Sequence, residues 1–258
     1  MHARSALFDV YGDHLRRWGH PVPVATLVAL LEPVDINAPA VRTAVSRMVR
    51  QGWLSAVDLG GQRGYAPTER AQRRLADSAA RIYRTTDRDW DGGFDMVVFT
   101  PPGARPVRSR LAAGLRFHGY GPLSAGTWLS PWCHDLTEVF SEAGVDFERF
   151  RSVHDGDTVE LTRRAWDLDA LAQRYRDFTA ELAPVVDGVD ETTPDRDAYA
   201  ARLRLLHEFR VFLFSDPGLP AKLCPPNWAG DEAAAFFDTR SARLRPAADR
   251  FVSSLLTT

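Results

Sequence analysis

The sequence predicts an α+β fold in three parts: a helical, basic head, a central β-rich segment and a helical remainder. Three observations predict it. Apolar residues recur at helical spacing through most of residues 4–84, interrupted by one glycine-rich hairpin pattern. A β-rich run bounded by Gly-Gly and Pro-Pro begins at Phe94. From Trp166 onward the apolar periodicity is helical again. The expected domains are residues 1–84, 90–163 and 164–258.

Composition sets the class. The 258 residues, 45% hydrophobic and 26% charged, are those of a globular protein. The net charge of −2 hides an asymmetry. Residues 1–84 hold 12 Arg against 7 Asp plus Glu, so the head is +5 and the remaining 174 residues are −7. A positive head on an acidic body suits contact with a polyanion through the head alone. The sequence has no signal-peptide core, and no apolar run approaches the ~18 residues of a membrane span. A cytoplasmic location is therefore expected, with no membrane contact. Cys133 and Cys224 lie far apart without zinc spacing and read as packed thiols.

Residues 4–18 predict the first helix, with Leu7, Val10, Tyr11, Leu15 and Trp18 on its core face. Gly19-His-Pro-Val-Pro23 breaks it, and Val24–Leu31 is a short apolar helix. Glu32-Pro-Val-Asp-Ile36 is a compact turn. Asn37 can cap the next helix, Pro39 is tolerated in its first turn, and Gly52 closes it. Ala38, Val41, Ala44, Val45, Met48 and Val49 fall on one side of that helix. Arg42, Thr43, Ser46, Arg47 and Arg50 fall on the other. Trp53–Asp58 and Tyr65–Pro67 then predict a hairpin, with Gln62 and Arg63 at its glycine-rich tip. Thr68 caps a helix running to about Arg84, and Thr85–Asp89 with Asp91-Gly-Gly93 make the boundary.

Helix, turn, basic helix and hairpin in that order read as a winged helix-turn-helix, which points to double-stranded DNA. Arginine forks fit guanine O6 and N7 or a phosphate, while Thr and Ser let a helix sit deep in the groove. Arg42, Thr43, Ser46 and Arg47 are the groove candidates, and Arg50 lies nearer the backbone. Gln62 and Arg63 are candidates for a minor groove or a phosphate. A solvated face on an ordinary amphipathic helix, and a plain hairpin turn, are the competing readings.

In the centre, Phe94–Thr100 is a strand, Ala104–His118 a helix, and Gly119–Pro131 two short strands around a turn. Trp132–Ala143 is a second helix, Val145–Val153 a strand, and Asp157–Thr162 extends the sheet. The order βαββαβ predicts a ferredoxin-like domain. Helices over 168–185, 198–215 and 232–256 follow, separated at Pro217, Pro220 and Pro225-Pro226.

Several stretches resemble the PaaX family of bacterial transcriptional regulators, named for the repressor of phenylacetate catabolism. They are Phe8-Asp-Val-Tyr-Gly12, Ala40–Leu54, Leu115–Leu123 with Gly126–Pro131, and His207-Glu-Phe-Arg210 with Asp216–Pro220. Val41-Arg-Thr-Ala-Val-Ser-Arg-Met-Val-Arg50 is the most specific of them. The resemblance implies a winged helix-turn-helix, a central domain similar to a CRISPR adaptation nuclease, and a helical C-terminal domain. It also implies a homodimer that represses a catabolic operon. The best-known members release DNA when an aryl-acetyl coenzyme A thioester binds. Such an effector needs cations and an apolar slot. Arg105, Arg108, Arg110 and Arg116 are close enough in sequence to supply the first, and Phe99, Phe117, Trp128 and Trp132 the second. Surface ion pairs and core packing are the other readings of these residues.

Two further classes are weighed: an adaptor that binds protein, and a metal-dependent nuclease. The similar nuclease family places an acid at the end of its first strand, but here that strand ends in Phe99-Thr100 and Asp95 sits near its start. Glu138 and Glu142, one turn apart, read as a solvated helix face. The seven His residues show no metal-ligand spacing, and His207-Glu208 lacks the second His of a zinc protease motif. No nucleophile elbow or phosphate loop is present, so neither catalytic residues, a metal nor a cofactor is expected.

Overall fold

The computed structural model describes residues 1–16, 18–84 and 89–256. Its contacts divide the chain into two units. The first comprises Met1–Thr85, Asp177–Arg210 and Ala233–Thr258, and the second Thr86–Arg176 and Val211–Glu232.

The first unit begins with α1 (Ala3–Asp9), which continues as one π-helical stretch, Val10–His14. Helix ends by Leu15 rather than at residue 18, and Arg17 lies outside the described residues. Leu7, Val10, Tyr11 and Leu15 are buried as expected, but Trp18 is not a core residue. It follows the last turn and is 37% exposed, with its ring edge against His20. β1 (Val22–Pro23), α2 (Val24–Leu31), a 3-10 turn (Glu32–Val34) and α3 (Ala38–Arg50) come next. The hairpin is β2 (Leu54–Asp58) and β3 (Arg63–Pro67), and α4 (Glu69–Ile82) follows. β1 pairs antiparallel with β3, giving a three-stranded sheet in the order β1-β3-β2. The boundary expected at Thr85–Asp89 falls largely on residues 85–88, which lie outside the described residues.

The second unit holds β4 (Phe94–Phe99), α5 (Arg105–Phe117), β5 (Gly121–Ser124), β6 (Thr127–Ser130), α6 (Thr137–Ala143) and β7 (Phe147–Ser152). This is the βαββαβ order. The sheet runs β5-β6-β4-β7 with every pair antiparallel, the split βαβ arrangement. Val97, Leu111, Leu115, Tyr120, Trp128, Leu136 and Phe140 form its core. Residues 158–162 do not extend the sheet: they belong to α7 (Thr158–Ala165). The reason is a cap, because Asp157 Oδ1 accepts the amides of Val159 (2.8 Å) and Glu160 (3.3 Å). α6 starts only at Thr137, so Trp132–Leu136 is not helical.

α8 (Leu168–Asp187), α9 (Asp195–Arg210), a 3-10 turn (Val211–Phe214) and α10 (Ala229–Leu256) complete the chain. Tyr199 and Leu203 of α9 and Ala248 and Val252 of α10 share one core cluster with Leu7, Val10, Leu27, Val41 and Met48. The N-terminal helices therefore bury their apolar faces partly on C-terminal ones. Cys133 is exposed rather than packed, while Cys224 is half-buried, and both are free thiols.

Candidate nucleic-acid interface

α3 is fixed at both ends by local chemistry. Asn37 accepts the Ala40 amide at 3.0 Å, and Pro39 occupies the first turn, where a missing N–H costs nothing. At the other end Gly52 adopts φ +71. Its amide donates to Val49 O and that of Trp53 to Met48 O, the two bonds of a Schellman closure. Val41, Ala44, Val45 and Met48 are buried. Burial of these four turns the opposite side outward.

That outward side carries Arg42, Thr43, Ser46, Arg47 and Arg50, all exposed. At 100° per residue they occupy an arc of about 140°. Among the described residues the side chains of Arg42, Arg47 and Arg50 make no hydrogen bond, ion pair or ring contact. The helix thus presents unpaired guanidiniums with two short hydroxyls between them.

The hairpin tip is a two-residue turn. Gly60 (φ +70) and Gly61 (φ +93) are its central residues, and Leu59 N–H donates to Gln62 O at 2.7 Å. Positive φ at both centres is the geometry that matches strand twist and that glycine supplies without strain. Asp58 Oδ1 accepts the Gly61 amide at 2.8 Å and holds the tip. Gln62 and Arg63 are exposed there, and the Arg63 guanidinium has no protein partner among the described residues. Thr68 ties the hairpin base to α3: its hydroxyl donates to Gly52 O at 2.7 Å and accepts the Ala71 amide at 3.3 Å. The Arg70 guanidinium lies 4.7 Å over the Trp53 ring, and Phe8 packs edge-on to the same ring at 5.3 Å.

Two buried carboxylates anchor this framework, and sequence reasoning missed both. Asp9 receives His207 Nδ1 at 2.6 Å and an ion pair with Arg210. Asp13 is bound by Arg202 and the Tyr83 hydroxyl, with Arg245 at 3.7 Å. Burial pushes the Asp13 carboxyl up, but the hydrogen bond and charge of Arg202 outweigh it and hold the group below the ordinary carboxylate range. Burial pulls the neighbouring His14 down to about 3. The available signal was two acids, four residues apart, on a helix whose intervening residues are apolar; such acids need partners when buried.

The candidate effector residues are not brought together. Arg105 and Arg116 stand at opposite ends of α5, about 16 Å apart by helical rise. Arg108 donates to Pro102 O (3.0 Å) and Gly103 O (2.6 Å), closing the loop before α5. Arg110 is exposed, and Phe99, Phe117 and Trp128 pack in or against the core. Trp132 donates its indole N–H to Gly218 O at 2.6 Å. Arg116 lines a cavity of about 220 Å³ in the second unit, with its guanidinium 5.4 Å over Trp128. The same pocket takes in Trp166, Leu171, Arg174 and Ser215, none of which the sequence singled out.

Asp95 is buried, accepts a hydrogen bond from the Tyr120 hydroxyl and has Arg149 at 3.5 Å. Among the described residues no cluster of three or more His, Cys, Asp or Glu side chains could hold a metal ion. None of their helices is long and apolar enough to cross a membrane.

Comparison with known proteins defines the class first. The chain is 28% identical over 263 residues to the transcriptional repressor PaaX of Escherichia coli, covering 96% of this chain and 82% of that one. In fold it matches an uncharacterized protein, Rv0674, from Mycobacterium tuberculosis, with a TM-score of 0.63 and 21% identity over 97% of this chain and 98% of that one. Three family models follow one another along the sequence. Residues 2–71 match the PaaX-like protein, 87–160 the PaaX protein central Cas2-like domain, and 166–254 the PaaX-like protein C-terminal domain. The chain belongs to the PaaX family of transcriptional regulators.

Proposed function

We propose that the protein is a sequence-specific repressor of transcription that binds double-stranded operator DNA through a winged helix-turn-helix. In this reading α2 and α3 are the helix-turn-helix, the β2–β3 hairpin is the wing, and α3 enters the major groove. The observation that carries it is the exposed stripe Arg42, Thr43, Ser46, Arg47 and Arg50, whose arginine side chains have no protein partner among the described residues. Unpaired guanidiniums on a rigid helix are arranged to meet phosphates and guanine edges without first breaking internal contacts. Arg63 and Gln62 at the tip add a second contact beside the first. The relative named a transcriptional repressor supports the same reading.

The protein acts in the cytoplasm as a homodimer. Two copies of α3 occupy successive major grooves of a pseudopalindrome. A small-molecule effector lowers operator affinity by favouring a dimer geometry in which the two heads fall out of register. An aryl-acetyl coenzyme A thioester is one such effector class. The test is a gel shift on the chain's own upstream intergenic DNA against a shuffled control of equal length. Retarded specific DNA supports a repressor. Equal retardation of both, or none, favours the adaptor.

A nuclease reading is opposed by Asp95, whose carboxylate is engaged by Tyr120 and Arg149. Labelled duplex incubated with the protein and Mg²⁺ or Mn²⁺ is expected to stay intact.

A further inference from the structure

We propose that the pocket between α5, β5, the start of α8 and the 211–217 segment binds a small carboxylate with a compact apolar or aromatic body. Its size sets the first limit. A cavity of ~150 Å³ holds a benzene ring. The volume here, about 220 Å³, leaves room for one ring or short chain plus an acid group. The walls are apolar, from Tyr120, Pro122, Trp166, Leu171 and Pro217.

Polarity sets the second limit. Arg116 and Arg174 contribute two cations, each held over an aromatic face, Trp128 at 5.4 Å and Phe212 at 5.3 Å. Both side chains are exposed, and the stacking lays each guanidinium along an aromatic face at the pocket. Asp167 is the one carboxylate in the lining, and its Oδ1 accepts the Ala170 amide at 3.1 Å. The Tyr120 hydroxyl is already donated to Asp95. Two lining residues keep buried polar atoms without a partner, Trp166 Nε1 and Ser215 Oγ. An indole N–H can only donate, so its partner must bring an acceptor. Two cations beside an apolar slot select an anionic oxygen on an apolar body.

Phe214, Ser215 and Pro217 follow within seven residues of Arg210, and Arg210 and His207 hold Asp9. That the ligand alters DNA affinity rests on the repressor reading; that it binds does not.

The test is isothermal titration of the full chain, without DNA, with benzoate, 3-phenylpropanoate and hexanoate. In parallel, the ¹H–¹⁵N indole resonances are followed, that of Trp166 being assigned with Trp166→Phe. Saturable binding is expected for at least one acid, with movement of the Trp166 indole signal. Loss of either guanidinium, in Arg116→Gln or Arg174→Gln, is expected to weaken it about tenfold or more. The neutral amide of the same acid is expected to bind the unaltered protein at least as poorly. Absence of saturable binding for all three acids overturns the proposal. Equal affinity for acid and amide, or for inorganic phosphate, overturns it too. Failure of operator binding leaves this titration unaffected, so the two readings fail separately.

Discussion

His207 Nδ1 lies 2.6 Å from Asp9 Oδ2, joining α9 to α1 through a carboxylate with no exposed surface. Arg210 pairs with the other oxygen from the next turn of α9. Two stretches that the sequence offers as separate family signatures, Phe8–Gly12 and His207–Arg210, are therefore the two halves of one buried ion cluster. Removing Asp9 leaves the Arg210 guanidinium without its carboxylate and His207 Nδ1 without its hydrogen-bond partner. Asp9→Ala is expected to destabilise the fold by ~3–5 kcal/mol, the cost of breaking a buried pair. Urea denaturation measures it, and a loss under about 1 kcal/mol, the range of a surface pair, would contradict the assignment.

Acid sensitivity follows from the neighbouring residues. His14 is neutral in the folded protein, with burial pulling it down to about 3, whereas it titrates near 6.5 when unfolded. The unfolded chain therefore takes up a proton that the folded one refuses. The His14 contribution is complete above pH ~6.5 and declines as pH falls toward the folded value, at about 1.4 kcal/mol per pH unit. Asp13 adds a second loss at lower pH, since its folded value lies below the unfolded one, near 3.9. Melting temperature is expected to fall between pH 6.5 and 4.5 in the native protein. His14→Gln is expected to flatten that part of the curve, and a native curve flat over this range would refute the assignment.

The hairpin tip depends on two residues with positive φ. Gly60 and Gly61 at φ +70 and +93 are expected to resist substitution by valine, each replacement costing ~1–2 kcal/mol of left-handed strain. The readout is local: the Leu59 amide, bonded to Gln62 O at 2.7 Å, should exchange faster with solvent in Gly60→Val. Met48, buried in the core under α3, gives the control site, because its amide protection should be unchanged.

Legibility in the sequence followed how local each signal was. α2 and α3 were readable to the residue, because capping by Asn37, closure by Gly52 and apolar spacing are all written within a dozen positions. The βαββαβ order was readable for the same reason. Asp157–Thr162 was misread because a β-branched pair, Thr158 and Val159, looks like a strand unless the capping Asp157 is given weight. Trp18 was misplaced because helical spacing was carried past the end of the helix. The buried partners of Asp9 and Asp13 and the pocket around Trp166 were invisible, since they join residues tens to hundreds of positions apart. Nothing local marks Arg116 as different from Arg105; only the fold places one beside Trp128 and the other at the far end of α5.

Salt-dependent binding of the full chain to its operator, measured by fluorescence anisotropy for Arg47→Ala and Arg50→Ala, tests the central claim most directly. Arg47→Ala is expected to lose ~1–3 kcal/mol of operator affinity and to relax base preference at one position of each half-site. Arg50→Ala is expected to weaken all sequences alike and to reduce the salt slope by about one charge. Unchanged affinity and slope in both variants would contradict α3 as the DNA-reading helix.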